Sequence, residues 1–366
     1  MPVPELPERL LLGPGPSNVS AAVREALARP LIGHLDPAFL ALLDDLQQML
    51  ARVFRAPPGS LALPISGTGS AGMEACLVNL LEPGETLLVG VNGVFGERMS
   101  AIGERCGARV RRVEAEMGEI VPPERLIAEI EASRPAVVAL VHAETSTGVA
   151  QPVEAVAAAA RASGALSVLD CVTSLSGMDV RVGDWQADAA YSGTQKCLAC
   201  PPGLSPLVFG PRALERLERR QKPVQSWYLD LSLIGRYFGE KRVYHHTAPI
   251  SMLYALHAAL ARVFDEGLEA RFRRHREAHE RLVAGLEPLG FRMLVSAPHR
   301  LPMLNSVLPP FADEAEKRGR LLAEHGIEVG GGLGKLAGRI WRIGLMGENA
   351  RPEAVDRLLV ALRSLV

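Results

Sequence analysis

The chain has 366 residues, of which 48% are hydrophobic and 22% charged, and its formal net charge is −1. Such a length and composition bury a sizeable core in one large domain or two, which excludes intrinsic disorder. Acids and bases are interspersed, so there is no electrostatic footprint for nucleic acid or an anionic membrane.

The first residues are proline-rich and end in Leu11-Leu-Gly-Pro-Gly-Pro-Ser17, which reads as an extended arm over residues 1–19, of a kind often tied down on another subunit. Helical periodicity begins at Ser20, breaks at Pro30-Leu-Ile-Gly-His34 and resumes through Phe39, Leu42, Leu43, Leu46, Met49 and Leu50. Ser60-Leu-Ala-Leu-Pro-Ile65 reads as a short strand, Ser66-Gly-Thr-Gly-Ser-Ala-Gly72 as a glycine-rich loop, and Met73–Leu81 as a helix. Strands and helices then alternate. Strands are expected near residues 86–91, 109–113, 136–142 and 165–170, with helices near 95–106, 123–133 and 152–163. A short strand, Ala189-Ala-Tyr191, precedes Ser192-Gly-Thr-Gln-Lys196.

Continuous apolar strands alternating with helices imply an α/β fold, a mostly parallel sheet covered on both faces. Ligands of such sheets sit outside the carboxyl ends of the strands, which puts the Gly67 loop, Glu144–Gly148, Asp170 and Lys196 along one rim. Beyond Pro211 a basic helix leads to Trp227-Tyr-Leu-Asp230 and Tyr244-His-His-Thr247, then to a long helix from Ser251. Helices near 268–286, 313–325 and 352–365 interleave with strands at 305–309 and 340–345. The expected organisation is a large domain over 20–266 and a smaller α+β domain over 267–366.

Five cysteines, an odd number, argue for a reducing compartment rather than a disulfide framework. The opening Met1-Pro-Val-Pro-Glu-Leu-Pro-Glu-Arg9 lacks the features of a secretory signal, and no apolar run approaches the about 18–20 residues that cross a bilayer. A cytoplasmic protein is expected. Cys197-Leu-Ala-Cys200 is one CxxC pair without a second, so no metal site is expected.

Three features carry chemistry. Gly67-Thr-Gly69-Ser-Ala-Gly72 has the letters of a dinucleotide fingerprint, yet the next strand ends Leu88-Val-Gly-Val-Asn92, without the acid that would hold a ribose. That weakens a nicotinamide-dependent oxidoreductase and leaves an anion cradle of backbone N–H groups, to which Thr68 and Ser70 add hydroxyls. Asp170 ends a buried strand, where a carboxylate needs a cationic or hydrogen-bonding partner. Lys196 stands on a loop among small polar neighbours, where partial desolvation lowers its pKa and makes it an amine nucleophile. A phosphate anchor, a carboxylate for a heterocyclic nitrogen and a reactive lysine are together what pyridoxal phosphate requires.

With these stand Gly13-Pro-Gly-Pro-Ser17, Ser146-Thr-Gly148, Asp170-Cys-Val-Thr-Ser174, Pro201-Pro-Gly203, Trp227-Tyr-Leu-Asp230, Tyr244-His-His-Thr247 and Arg342-Ile-Gly344. In this order, and almost end to end, the chain resembles the class V, fold-type I aminotransferases, and among them the alanine–glyoxylate and serine–pyruvate group. The resemblance implies a homodimer that moves the amino group of a small L-amino acid to glyoxylate or pyruvate by a ping-pong route. It implies that Lys196 forms the Schiff base and shuttles the proton, and that Asp170 keeps the ring nitrogen protonated. Gly67, Thr68 and Gly69 would hold the phosphate with Gln195 assisting, and Thr145 would lie near the ring oxygen. Val172 and Phe95 would cover the two ring faces, Tyr244 and Thr247 would reach the phosphate from the partner subunit, and Arg342 would clamp the substrate carboxylate. Spacing alone leaves Arg339 open for that last task.

Two departures bear on substrate preference. Phe95 stands where the alanine–glyoxylate enzymes carry tryptophan, and Ile32-Gly-His34-Leu-Asp-Pro37 differs from the mammalian-like loop. Other donors, ureidoglycine or aminoethylphosphonate, remain alternatives within the fold, as does a lyase or desulfurase. Tyr244 stands where ureidoglycine specificity favours an amide side chain. All five cysteines precede residue 267, whereas a desulfurase would carry one on a small-domain loop.

Overall fold

A computed structural model describes residues 4–365. Its centre is a seven-stranded sheet in the order Leu61–Ser66, Leu204–Phe209, Ala189–Tyr191, Leu166–Asp170, Val137–Val141, Thr86–Val91 and Arg109–Glu114. Leu204–Phe209 runs antiparallel to both its neighbours, and the remaining pairs are parallel. The inner strands are buried along their length, as a sheet covered on both faces demands. Arg109–Glu114, at one edge, exposes Arg109, Arg111, Arg112 and Glu114, charges that discourage pairing with another chain.

Two of these elements depart from what the sequence suggests. Leu204–Phe209 is an unexpected strand: Pro206 argues against a central position, but it pairs in register with Pro64, so two residues lacking N–H groups face each other. The helix after the glycine-rich loop begins at Gly69 rather than Met73. Its glycines are packing positions: a Cβ on Gly69 would lie 2.8 Å from Val172 Cγ2, and one on Gly72 2.0 Å from Ser205 Oγ. Leu231–Phe238 is a further helix the sequence reading left out, capped by the Asp230 carboxylate.

A four-stranded antiparallel sheet follows in the order Arg292–Met293, Leu304–Leu308, Trp341–Gly344, Gly330–Gly331. The Leu268–Leu286 and Pro352–Arg363 helices bury Leu282, Leu286, Leu358 and Leu362 in the apolar cluster formed with it. Leu12 from the arm joins the same cluster.

Residues 10–17 of the arm are tied to their own chain. Leu10–Leu11 pairs parallel with Ile327–Glu328, the Leu12 carbonyl accepts from Gly344 N–H at 2.8 Å, and Ser17 Oγ donates to the Lys196 carbonyl at 2.9 Å. A Cβ on Gly344 would fall 1.9 Å from the Gly13 carbonyl oxygen, so only glycine lets the arm lie this close. Among the described residues no helix is long and apolar enough to cross a membrane.

Candidate active site

Sheet topology brings the chemistry-bearing residues to one place. Leu166–Asp170 and Ala189–Tyr191 are parallel neighbours, so Asp170 and the loop that leads from Tyr191 to Lys196 leave the sheet at the same end. The Gly69–Leu80 helix points its first turn there too. Thr68, Gly69, Ser70, Phe95, Asp170, Val172, Gln195 and Lys196 all line a cavity of about 210 Å³, joined by Met73 and Arg98.

Lys196 is 8% exposed, and its Nζ donates to the Pro14 carbonyl of the arm. Gly15 passes so close, at positive φ, that a Cβ would lie 2.7 Å from Nζ. Burial, reinforced by the Arg342 charge, brings the lysine down to about 8. Asp170 is buried, accepts from Tyr191 Oη–H at 2.7 Å and from Val172 N–H at 2.8 Å, and has no salt bridge among the described residues. Desolvation dominates these donors and pushes its carboxyl up to about 6. The site is therefore short of positive charge beside Asp170.

Thr68 caps the Gly69–Leu80 helix without spending its hydroxyl on a cap bond, and Gly67 before it has φ of 146°. The first-turn amides of a helix have no partner within it and carry its positive dipole end. Phe95 opens the Val94–Arg105 helix, with the Arg98 guanidinium over its ring at 4.8 Å and bonded to Ser70 Oγ at 2.9 Å. Thr145 is buried and is not among the residues that line the cavity; its hydroxyl is 2.9 Å from that of Thr173. Its carbonyl accepts from Arg342 Nη1 at 3.2 Å, while Arg342 Nε donates to the Gly331 carbonyl at 2.7 Å. Arg342 is buried on its strand, and Arg339 is exposed before that strand begins, which separates the two arginines that spacing left open.

Tyr244 and Thr247 do not line the cavity; both are exposed, Tyr244 at 56%. Cys197 and Cys200 are buried free thiols, each pushed up to about 12 by desolvation. His245 is buried and stacked on Trp227 at 4.3 Å, and His246 bonds Ser66 Oγ at 2.8 Å. Sequence reasoning missed Arg98, which its i,i+3 spacing from Phe95 on one helix face signals, and the bond from Tyr191 to Asp170, which strand register creates.

The residues fit pyridoxal phosphate on three observations. Asp170 is a buried carboxylate in want of a cation. Gln195 stands at the cavity, and its side-chain amide, whose Oε1 is buried without a partner, can offer its N–H donors to an anion. Gly69 keeps open a cradle that a Cβ would close against Val172. Fold and site together define a fold-type I pyridoxal-phosphate enzyme.

The family description for class V aminotransferases matches residues 24–343. The structure of alanine–glyoxylate aminotransferase from Nostoc sp. superposes with a TM-score of 0.97 and 48% identity, over 100% of this chain and 97% of that one. Ureidoglycine–glyoxylate aminotransferase from Bacillus subtilis gives 0.96 and 39%, over 98% and 93%. The alanine–glyoxylate aminotransferase of Drosophila melanogaster is 38% identical over 99% of this chain and 93% of its own. This chain belongs to the class V aminotransferases, and its cofactor is pyridoxal phosphate.

Proposed function

We propose that the enzyme moves the amino group of L-alanine or L-serine to glyoxylate, or to pyruvate, in two half-reactions. The observation that carries this reading is the gathering of Thr68, Phe95, Asp170, Val172, Gln195 and Lys196 around one small cavity, while Arg342 bonds the carbonyl of Thr145, whose hydroxyl meets Thr173 next to Val172. Bound pyridoxal phosphate supplies an aldehyde that takes up amino groups and a ring that withdraws electrons from the substrate α-carbon.

The chain's residues do the rest. Lys196 would hold the cofactor through its amine and, when that amine is free, would carry the proton from the substrate α-carbon. Asp170 would hold a proton on the ring nitrogen through its charge. Thr68, the Gly67–Gly69 backbone and Gln195 would hold the phosphate, and Thr145 would serve the ring oxygen. Val172 and Phe95, both on the cavity wall, would cover the two faces of the ring. Arg342 binds the substrate carboxylate, for which a planar guanidinium is suited.

The working unit is a cytoplasmic homodimer in which Tyr244 and Thr247 reach the partner's phosphate site. In support, Leu31, Leu35, Trp227, Tyr228, Val243 and Tyr244 are large apolar residues left exposed, with the Tyr244 ring 5.4 Å from His34 and Tyr228 4.9 Å from His246. A patch of that kind marks an interaction surface.

The test is a visible absorption titration. L-alanine should remove the yellow absorption of the bound cofactor and glyoxylate should restore it; a yellow protein unaffected by alanine or serine would overturn the donor assignment. Ureidoglycine is the second reading, favoured by the Bacillus subtilis relative and opposed by Tyr244. The same titration with ureidoglycine in place of alanine separates the two.

Covalent capture depends on the neutral amine, so its pH dependence follows Lys196. The neutral fraction rises as pH rises through about 8. The rate at which apoprotein captures pyridoxal phosphate is expected to climb about tenfold per unit below that value and level off above it. A rate that went on climbing tenfold per unit from pH 8 into the ordinary lysine range would contradict the lowered value.

A further inference from the structure

The carboxylate of Glu144 has no part in the roles above, yet it is placed at their junction. It is 0% exposed and has no salt bridge among the described residues. Its Oε1 accepts from Ser146 N–H at 3.0 Å and Ser146 Oγ–H at 2.5 Å, and its Oε2 accepts from Phe95 N–H at 3.2 Å. Ser146 Oγ in turn accepts from Val94 N–H at 3.0 Å. Three donors therefore converge on one carboxyl group, and two of the first amides of the Val94–Arg105 helix are held by it directly or through Ser146. Gly93 completes the fit, because a Cβ there would lie 2.4 Å from Glu144 Cδ.

Oε1 accepts two of these donors and Oε2 the third, so a proton on the carboxyl weakens the acceptor that holds them. A glutamine would turn its NH2 group toward Phe95 N–H or toward Ser146, and a protonated carboxyl would hold the same donors without the assistance of charge. A residue needed only to fill this space would do better uncharged, since a buried carboxylate without a cation is costly. The next residue, Thr145, gives its carbonyl to Arg342 and its hydroxyl to Thr173 on the loop that bears Val172. Residues 144–146 thus join the helix of Phe95 to both the Val172 wall and the arginine.

We propose that Glu144 is a positioning residue: as an anion it fixes the first turn of the Val94–Arg105 helix and so holds the Phe95 ring over the cofactor. This rests on the cofactor site proposed above. The charged groups that act on Glu144 are Asp170, whose like charge opposes its ionisation, and Arg342, which its charge favours in turn. Burial outweighs the three donors and raises the carboxyl to about 7. A folded value above the ordinary one contributes stability that is present at low pH and is lost as pH rises toward 7. Above that pH the fold holds the anion at a cost to its own stability.

Stability and binding should therefore respond to Glu144→Gln in opposite senses. At pH 8 the apoprotein variant should melt no lower than wild type, while its Phe95 amide exchanges faster. Its Kd for pyridoxal phosphate should rise about tenfold, the size of one charge-assisted hydrogen bond. At pH 6, where the wild-type carboxyl is itself protonated, the ratio of the two Kd values should approach one. An unchanged Kd at pH 8 would overturn the role, and so would an equal loss at both pH values accompanied by a lower melting temperature. Should the variant not fold, the Phe95 amide of wild-type apoprotein must still be better protected at pH 8 than at pH 6, after correction for intrinsic exchange; equal protection overturns the proposal. A wild-type protein that binds no pyridoxal phosphate would instead remove the cofactor-site reading on which it rests.

Discussion

Lys196→Ala is expected to lower turnover by on the order of 10⁴-fold, the upper range for removing a positioned proton-transfer group. The loss should be this large because nothing nearby can substitute. The amine is enclosed and held by the Pro14 carbonyl, and the guanidinium groups of Arg98 and Arg342 are not amines that could take its place. Pyridoxal phosphate should still enter, since the groups proposed to hold its phosphate and ring are untouched. It should leave on gel filtration, however, and borohydride should no longer fix it to the chain. Added methylamine should restore part of the rate, because the enclosed space vacated by the side chain would admit a small amine. A variant that kept more than a tenth of wild-type turnover would remove Lys196 from the mechanism.

Asp170→Asn is expected to cost about 10²–10³-fold in kcat with little change in KM for the amino acid. The magnitude is that of a buried ion pair losing one member, about 3–5 kcal/mol. Shape is nearly conserved, so the effect isolates charge. The amide can accept from Tyr191 Oη–H or from Val172 N–H but not from both through the same atom, and it cannot hold a proton on the ring nitrogen electrostatically. Because the interaction matters most when negative charge spreads into the ring, the loss belongs in kcat rather than in uniform binding. Equal kcat values for the wild type and the Asp170→Asn variant, measured with saturating cofactor, would dismiss the assignment.

The alternation of the large sheet was legible because its strands are continuous apolar runs bounded by glycine and proline, and its helices carry a regular apolar stripe. Thr86–Val91 and Pro123–Ser133 are seen in the structure with the bounds that the residues imply. Where local rules and tertiary packing conflict, packing won. Pro206 disguised a central strand, and Gly69 and Gly72 made a helix start look like a loop, although the helix needs glycine there to approach Val172 and Ser205. The candidate site was legible where its residues lie at strand ends, as Asp170 and Lys196 do. It was opaque where partners are distant in sequence: Pro14 meets Lys196 across 182 positions, and Thr145 meets Arg342 across 197. No spacing rule reaches that far. Glu144 was visible only as part of a motif, since its partners become apparent once the Val94–Arg105 helix is placed.

The pairing of the arm with residues 327–328 and 344 imposes an order on biosynthesis. Leu10–Ser17 leaves the ribosome early, but the strand it joins and the amide that binds Leu12 are translated more than 300 residues later. The parallel sheet can assemble in the meantime from contacts between successive units, while the clasp around Lys196 waits for the longest-range contacts, which form slowly. The reactive amine therefore gains its enclosure at the end of folding, and a nascent chain is spared a lysine primed to capture aldehydes before the pocket that disciplines it exists.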